Sequence, residues 1–266
     1  MTSLLVRIHL PPGLPPDPVI RETLHLIFEE FHWFQPIAYD GVGIWEDRAI
    51  PPGPIPLDEL VAACRGEEWH ASHMLTVKRS DDEFLMFSLA AKNQPYPYVG
   101  KILWETIASF AFQAEGRRGL EEQVTKLMKL LKSPFAMAAL SEDYDSKAQR
   151  LVPEDVGLSL ELTIENYTEG LAGLFWRNFY GPPFVELFGK GLNALPAECR
   201  KDLGDGIVLV KPYEMPSDAE TEAGKARERE LISLLGPECF YDHERHVKPT
   251  RVPRLPASWR DGSSPW

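Results

Sequence analysis

Two histidine pairs are the first residues in this chain whose types and spacing suit chemistry. His70-Ala71-Ser72-His73 and His243-Glu244-Arg245-His246 both read His-x-x-His. Four imidazoles could enclose a zinc ion if the fold joined the pairs. Each pair lies in or beside a loop, and the two stand far apart in the sequence, so exposed loop histidines and no metal are expected. Two carboxylate runs come next: Asp81-Asp82-Glu83 and Glu142-Asp143-Tyr144-Asp145. Paired acids can do general acid–base work. Adjacent residues on a strand point to opposite faces, however, so neither run converges on a substrate by itself. We expect a solvated hairpin turn and a solvated strand exit. Lys211 follows the apolar run 207–210, but Leu209 stands where a nuclease core would carry its acid. No glycine-rich phosphate loop and no Gly-x-Ser-x-Gly turn is present. The sequence therefore offers no catalytic residue, and no cofactor is expected.

One segment is distinctive for another reason. Residues 173–191 read GLFWRNFYGPPFVELFGKG, with Trp176, Phe179, Tyr180, Phe184 and Phe188 packed into a short stretch beside Asn178. Gly181, Gly189 and Gly191 punctuate it, as where backbone turns or approaches closely. Two roles stay open: an aromatic core wedge joined to a tight turn, or a hydrophobic anchor, since aromatics dominate protein-binding hot spots.

The elements that must position these residues can be read from periodicity. Residues 3–10 alternate as a strand, and Pro11–Pro16 form a turn. Asp17-Pro18 suits a helix start, with Leu24, Ile27, Phe28 and Phe31 making one apolar stripe as far as about Phe34. A short helix is expected near 57–65. Residues 73–80 and 83–91 then form a hairpin about Ser80-Asp81-Asp82. The segment 99–115 fits a strand or a helix. Residues 119–132 are an amphipathic helix, stopped by Pro134 and followed by a strand through FAMAALSED. Ser217-x-x-Glu220 matches a capping box for a helix that Gly236-Pro237 ends near Leu235. This interleaving predicts an α+β fold, mixed or antiparallel sheets covered by helices. The element order suits two ferredoxin-like halves, 1–98 and 99–242, followed by a basic, proline-rich arm at 243–266 that lies extended on the surface, partly disordered.

Bulk properties limit the partners. The chain has 266 residues, 44% hydrophobic and 11% aromatic, and a formal net charge of −12. Residues 243–266 hold five Lys or Arg and two acids, leaving 23 basic and 38 acidic residues before them, a net of −15. Such a body repels nucleic acid and anionic membrane and attracts a basic protein. No apolar run approaches the roughly 20 residues that span a bilayer, and the N-terminus lacks the pattern of a signal peptide. Cys64, Cys199 and Cys239 form neither a disulfide framework nor a zinc pattern. A cytoplasmic monomer or dimer is expected.

The run from Leu174 to Glu186 (LFWRNFYGPPFVE), with Leu235 to Asp242 (LGPECFYD), resembles the Immunity protein 52 family of bacterial polymorphic toxin systems. That resemblance covers mainly residues 99–242. It implies an α+β protein without enzymatic activity, whose partner is a cognate toxin with a restriction-endonuclease-like domain, here an effector of type VI secretion. No contact residue follows from the resemblance. The charge alone suggests that Asp81, Asp82, Glu83, Glu142, Asp143 and Asp145 face such a toxin. Trp176, Asn178, Tyr180, Gly181 and Phe184 are then structural or an anchor.

Overall fold

The computed structural model describes residues 2–41, 47–66, 68–69, 72–90, 99–153, 157–260 and 266. The fold is α+β, in two compact units divided after Ala136. One unit holds Val6–Ala136 with Leu255–Trp266, and the other holds Thr2–Leu5 with Met137–Arg254. The boundary therefore lies well beyond residue 98, and the strand and helix that follow that position belong to the first unit.

The first unit contains strands β1 (Ser3–Pro12), β2 (Ala38–Gly41), β3 (Arg48–Ala49), β4 (Glu68–Trp69), β5 (Ser72–Ser80), β6 (Glu83–Ala90) and β7 (Val99–Ile107). Their order is β1-β7-β6-β5-β2-β3, with β4 also on β5. Strands β5, β6 and β7 run as an antiparallel meander, with Leu75 opposite Phe87 and Leu85 opposite Trp104. Period-two apolar residues make this meander: Leu75, Val77, Leu85, Phe87 and Leu89 are all buried on it. The 99–115 segment is thus a strand, continued by a 3₁₀ turn over Ala108–Phe112.

Helices α1 (Asp17–His25), α2 (Leu57–Ala63) and α3 (Ala114–Leu130) complete this unit with the short α8 (Ala257–Arg260). The apolar stripe expected to reach Phe34 runs through α1 into a π-helical turn, Leu26–Glu30, which buries Leu26, Ile27 and Phe28. Asp17 does not cap α1, which starts after Pro16. Its carboxylate instead accepts from Arg65 Nε at 2.7 Å. Trp33 stacks on Trp104 with ring centroids 4.1 Å apart, and its indole N–H donates to Gln123 on α3 at 2.8 Å.

A buried base on β1 gives this unit a pH dependence. His9 is 7% exposed and stacks on Phe135 at 5.4 Å. Burial lowers its pKa well below 6.5, and the positive charges of Arg7 and Lys101 lower it further. Lys101 itself is brought down to about 8 by burial and by Arg7. The unfolded chain takes up the His9 proton near pH 6.5, while the folded chain resists it. His9 therefore contributes stability above that pH that is lost as pH falls through it. Melting temperatures at pH 7 and pH 5 should differ more for the wild type than for His9→Phe, which keeps the ring stack. Equal differences would refute the assignment.

The second unit contains β8 (Phe135–Leu140), β9 (Gln149–Pro153), β10 (Leu158–Leu162), β11 (Arg177–Tyr180), β12 (Arg200–Asp202) and β13 (Val208–Val210). Its sheet runs β12-β13-β11-β8. Every residue of β8 is buried, the alanines leaving room for close packing on both faces. Helices α4 (Ser141–Ala148), α5 (Pro182–Phe188), α6 (Lys190–Ala194) and α7 (Glu222–Leu235) complete the unit. The start of α7 differs from the expected Ser217 box. Residues Pro216–Glu220 form a 3₁₀ turn, and Thr221 Oγ1 caps α7 by accepting from Gly224 N at 3.0 Å. Gly236, at φ 109°, ends the helix as expected.

Strands β9 and β10 form a separate two-stranded antiparallel sheet, with Leu151 opposite Leu160 and Gln149 opposite Leu162.

Candidate functional site

The aromatic segment is the best-defined cluster in the second unit, and its residues point inward. Trp176, Phe179, Tyr180 and Phe184 are fully buried and Phe188 nearly so. Of the two roles the sequence left open, packing of the core is the one these side chains fill. Tyr180 packs edge-on to Phe188 at 4.9 Å, and Phe188 stacks on Phe240 at 6.0 Å. The neighbourhood of the LFWRNFYGPPFVE run thus meets the LGPECFYD segment, which also bridges Leu171 to Phe240. Gly189 takes φ +50° between α5 and α6. Gly191 lets the chain pass α7, where a β-carbon would lie 2.7 Å from the Leu234 carbonyl. Gly181 needs no such freedom, since its φ is −79°. It precedes α5 as its N-cap, its carbonyl accepting from Phe184 N and Val185 N.

Polar side chains clamp this segment. The Asn178 amide donates to Phe175 O at 2.7 Å and to Val210 O at 3.1 Å, while its oxygen accepts from Phe175 N at 2.9 Å. Trp176 Nε1 donates to Glu214 O at 2.8 Å. Arg177, 1% exposed, donates to the carbonyls of Trp176 and Tyr213 and lies 4.3 Å over the Trp176 ring.

The acidic residues separate into two groups. Asp81 and Asp82 form the exposed β5–β6 turn of the first unit, as expected. Glu83, half-buried, accepts from Thr106 Oγ1 at 2.8 Å and from Arg79 at 3.1 Å. Glu142, Asp143 and Asp145 lie in the second unit, on a helix rather than at a strand exit. Strand β8 ends at Leu140 and α4 begins at Ser141. Helical spacing turns Asp143 inward, away from the solvent in which the sequence places it, because i and i+4 share a face. Its carboxylate meets Lys147 Nζ at 2.8 Å, and Lys147 also meets Glu228 on α7 at 2.8 Å. Lys147 donates to Leu174 O at 2.6 Å, and Glu228 accepts from Leu174 N at 3.0 Å. Burial, helped by the negative charges of Glu228 and Glu220, raises the Asp143 pKa despite the Lys147 ammonium beside it. Asp143 is thus a buried support of the aromatic segment, while Glu142 and Asp145 remain exposed.

His73 is buried, with Nδ1 2.9 Å from Gly66 O, and His70 lies outside the described residues. His243 Nε2 sits 2.6 Å from Ala172 O. Among the described residues no group of three or more His, Cys, Asp or Glu side chains is placed to hold a metal ion. The basic arm is laid along the acidic body of the second unit. Lys248 pairs with Glu169 at 2.8 Å and Arg251 with Glu238 at 3.3 Å.

Sequence reasoning missed the β9–β10 hairpin. Leu151, Leu158, Leu160 and Leu162 are 65%, 64%, 61% and 51% exposed. The signal was present in the alternation Leu158-x-Leu160-x-Leu162, which places all three on one face.

The chain is thus an α+β protein, with no helix among the described residues long and apolar enough to cross a membrane. The chain is similar in fold to a Pseudomonas aeruginosa type VI secretion system (T6SS) protein, PA0821. The TM-score is 0.60 at 15% identity, covering 99% of this chain and 82% of that one. No family model and no curated protein matches the chain, so the likeness to the Immunity protein 52 family rests on the quoted residues alone.

Proposed function

We propose that this protein acts without catalysis, as an immunity protein that binds and neutralises a toxin delivered by type VI secretion. The observation that supports this most is the fold, shared over 99% of the chain with a T6SS protein. We further infer that the toxin is a nuclease with a restriction-endonuclease-like domain, bound in the cytoplasm of the cell that makes both. A nuclease cleft must be basic to hold a polyanion. A chain of net charge −12 suits such a cleft and speeds the encounter. The exposed acids Asp81, Asp82, Glu142 and Asp145 are the toxin-facing candidates, with half-buried Glu83 beside the first two. Asp143 is withdrawn from that set because it is buried.

Reversing the charge of Asp81, Asp82 and Asp145 together should slow association by about tenfold at low salt and flatten its salt dependence. Unchanged association kinetics would remove these residues from the contact.

Co-expression with the product of the adjoining gene tests the function itself. A stable complex, with toxicity of that product rescued by this chain, is the expected result. Absence of both would overturn the immunity reading. The same fold likeness favours, as a second reading, a non-catalytic assembly protein of the secretion apparatus. Sizing separates the two, because an immunity protein stays a monomer or dimer whereas an assembly protein polymerises.

A further inference from the structure

The β9–β10 hairpin is amphipathic in the inverse sense to the rest of the molecule. In its register Leu151 faces Leu160, Pro153 faces Leu158, and Gln149 faces Leu162. Opposed residues, and residues two apart on one strand, share a face. One face therefore carries Leu151, Pro153, Leu158, Leu160 and Leu162, and this is the exposed one. The other carries Arg150, Val152 and Ser159, all half-buried, with Glu161. Its Arg150–Glu161 pair at 2.7 Å crosses the two strands. A solvated hairpin should show the opposite arrangement. Contiguous exposed leucines mark a surface that another molecule covers.

Charge decides between occupants. The described residues of 141–165 carry Glu142, Asp143, Asp145, Glu161 and Glu165 against Lys147 and Arg150. Both cations are engaged, Lys147 with Asp143 and Glu228, and Arg150 with Glu161. Asp145 stands at the base of the leucine face, accepting from Gln149 at 3.3 Å. Asp143 is buried and Glu161 lies on the other face, so a second copy docked leucine to leucine would bring the exposed acids Glu142, Asp145 and Glu165 against their own kind, and like charges across an interface are costly. A partner with a basic rim gains instead.

We propose that the leucine face of the β9–β10 hairpin docks a protein partner that presents an apolar segment rimmed by Lys or Arg. This rests on the partner-binding reading above and names the contact face.

The full chain and its Leu151→Ser/Leu158→Ser/Leu160→Ser variant test it with two labelled peptides, one alternating Leu and Lys, the other Leu and Glu. Fluorescence anisotropy should show the wild type binding the Leu/Lys peptide about tenfold or more tightly than the variant does. The wild type should also prefer it over the Leu/Glu peptide by a similar factor. Equal binding by the variant, or no preference between peptides, overturns the proposal. Self-association of the wild type that the variant loses, seen by sedimentation velocity, also overturns it, because the occupant would then be a second copy. Circular dichroism confirms that the variant is folded; if it is not, the single change Leu160→Glu replaces it. The adjoining-gene product separates the two claims. A complex that the variant forms equally well sinks the hairpin and leaves immunity standing. Peptide binding without any such complex sinks immunity and leaves the hairpin standing.

Discussion

Replacing Lys147 by methionine is expected to destabilise the second unit by about 3–5 kcal/mol at pH 7, the usual cost of stranding a buried charge. Lys147 sits between two carboxylates, Asp143 and Glu228, each 2.8 Å from its ammonium. Its charge also lies 5.2 Å over the Phe175 ring. The side chains of the three charged residues are 13%, 4% and 11% exposed, so water cannot replace the lost partner. Methionine keeps the length of the stem but leaves two buried acids facing each other. The melting temperature should fall by about 10 °C. The pH dependence identifies the cause. Burial already raises the Asp143 pKa, so its ionised form is costly in the folded state. That cost is present above the folded pKa and disappears as pH falls through it. The deficit of Lys147→Met should therefore shrink between pH 7 and pH 5. Adding Asp143→Leu and Glu228→Gln to the same variant should restore much of the loss, since glutamine can still accept from Leu174 N. A loss below about 1 kcal/mol at pH 7, by denaturant titration, would show that the triad is not holding the unit together.

The fate of Asp143 shows where sequence reading stops. The strands β1, β5 and β6 and the helix α3 were legible, because each repeats apolar residues at period two or near 3.6 over eight residues or more, while α7 was legible from the Gly236-Pro237 stop at its end. Helix α4 has eight residues and buries only Asp143 and Ala148 among them, so it leaves no apolar stripe to detect. Its one signal was the i,i+4 pair Asp143–Lys147, which stabilises a helix but reads equally as solvated charge. What turned the pair inward was Glu228, 85 residues away, together with the Leu174 backbone. No local pattern reports that.

The aromatic segment and the leucine hairpin were misleading in opposite directions. Aromatic density at 176–188 suggested either a core or an anchor, and only the strand order β13-β11-β8 encloses it. Alternating leucines at 158–162 would normally announce a strand covering a core. The pattern gives the period and not the direction, so it could not show that this face turns to solvent. The acidic turn at Asp81-Asp82 was legible because a two-residue connection between paired strands has nowhere to be but outside.

These two apolar surfaces should separate cleanly under mutation. Trp176→Ala removes a fully buried indole, the Arg177 contact over its face, and the hydrogen bond to Glu214 O. A loss of about 3–5 kcal/mol is expected, as for other buried tryptophans. The Asn178 clamp and the Phe188–Phe240 stack lie beside the vacated space, which limits how far the site can collapse. If Trp176 packs the core and does not touch the partner, affinity for that partner should be unchanged wherever the variant is still folded, for instance at low temperature. The hairpin variant should behave in the reverse way, because substitutions at exposed positions cost roughly 0.5 kcal/mol or less each while contact leucines are lost to the partner. Thermal unfolding and binding measured on both variants therefore form a cross. A Trp176→Ala protein that is folded and stable yet fails to bind would overturn the assignment of this segment to the core. It would return the aromatic segment to the anchor role.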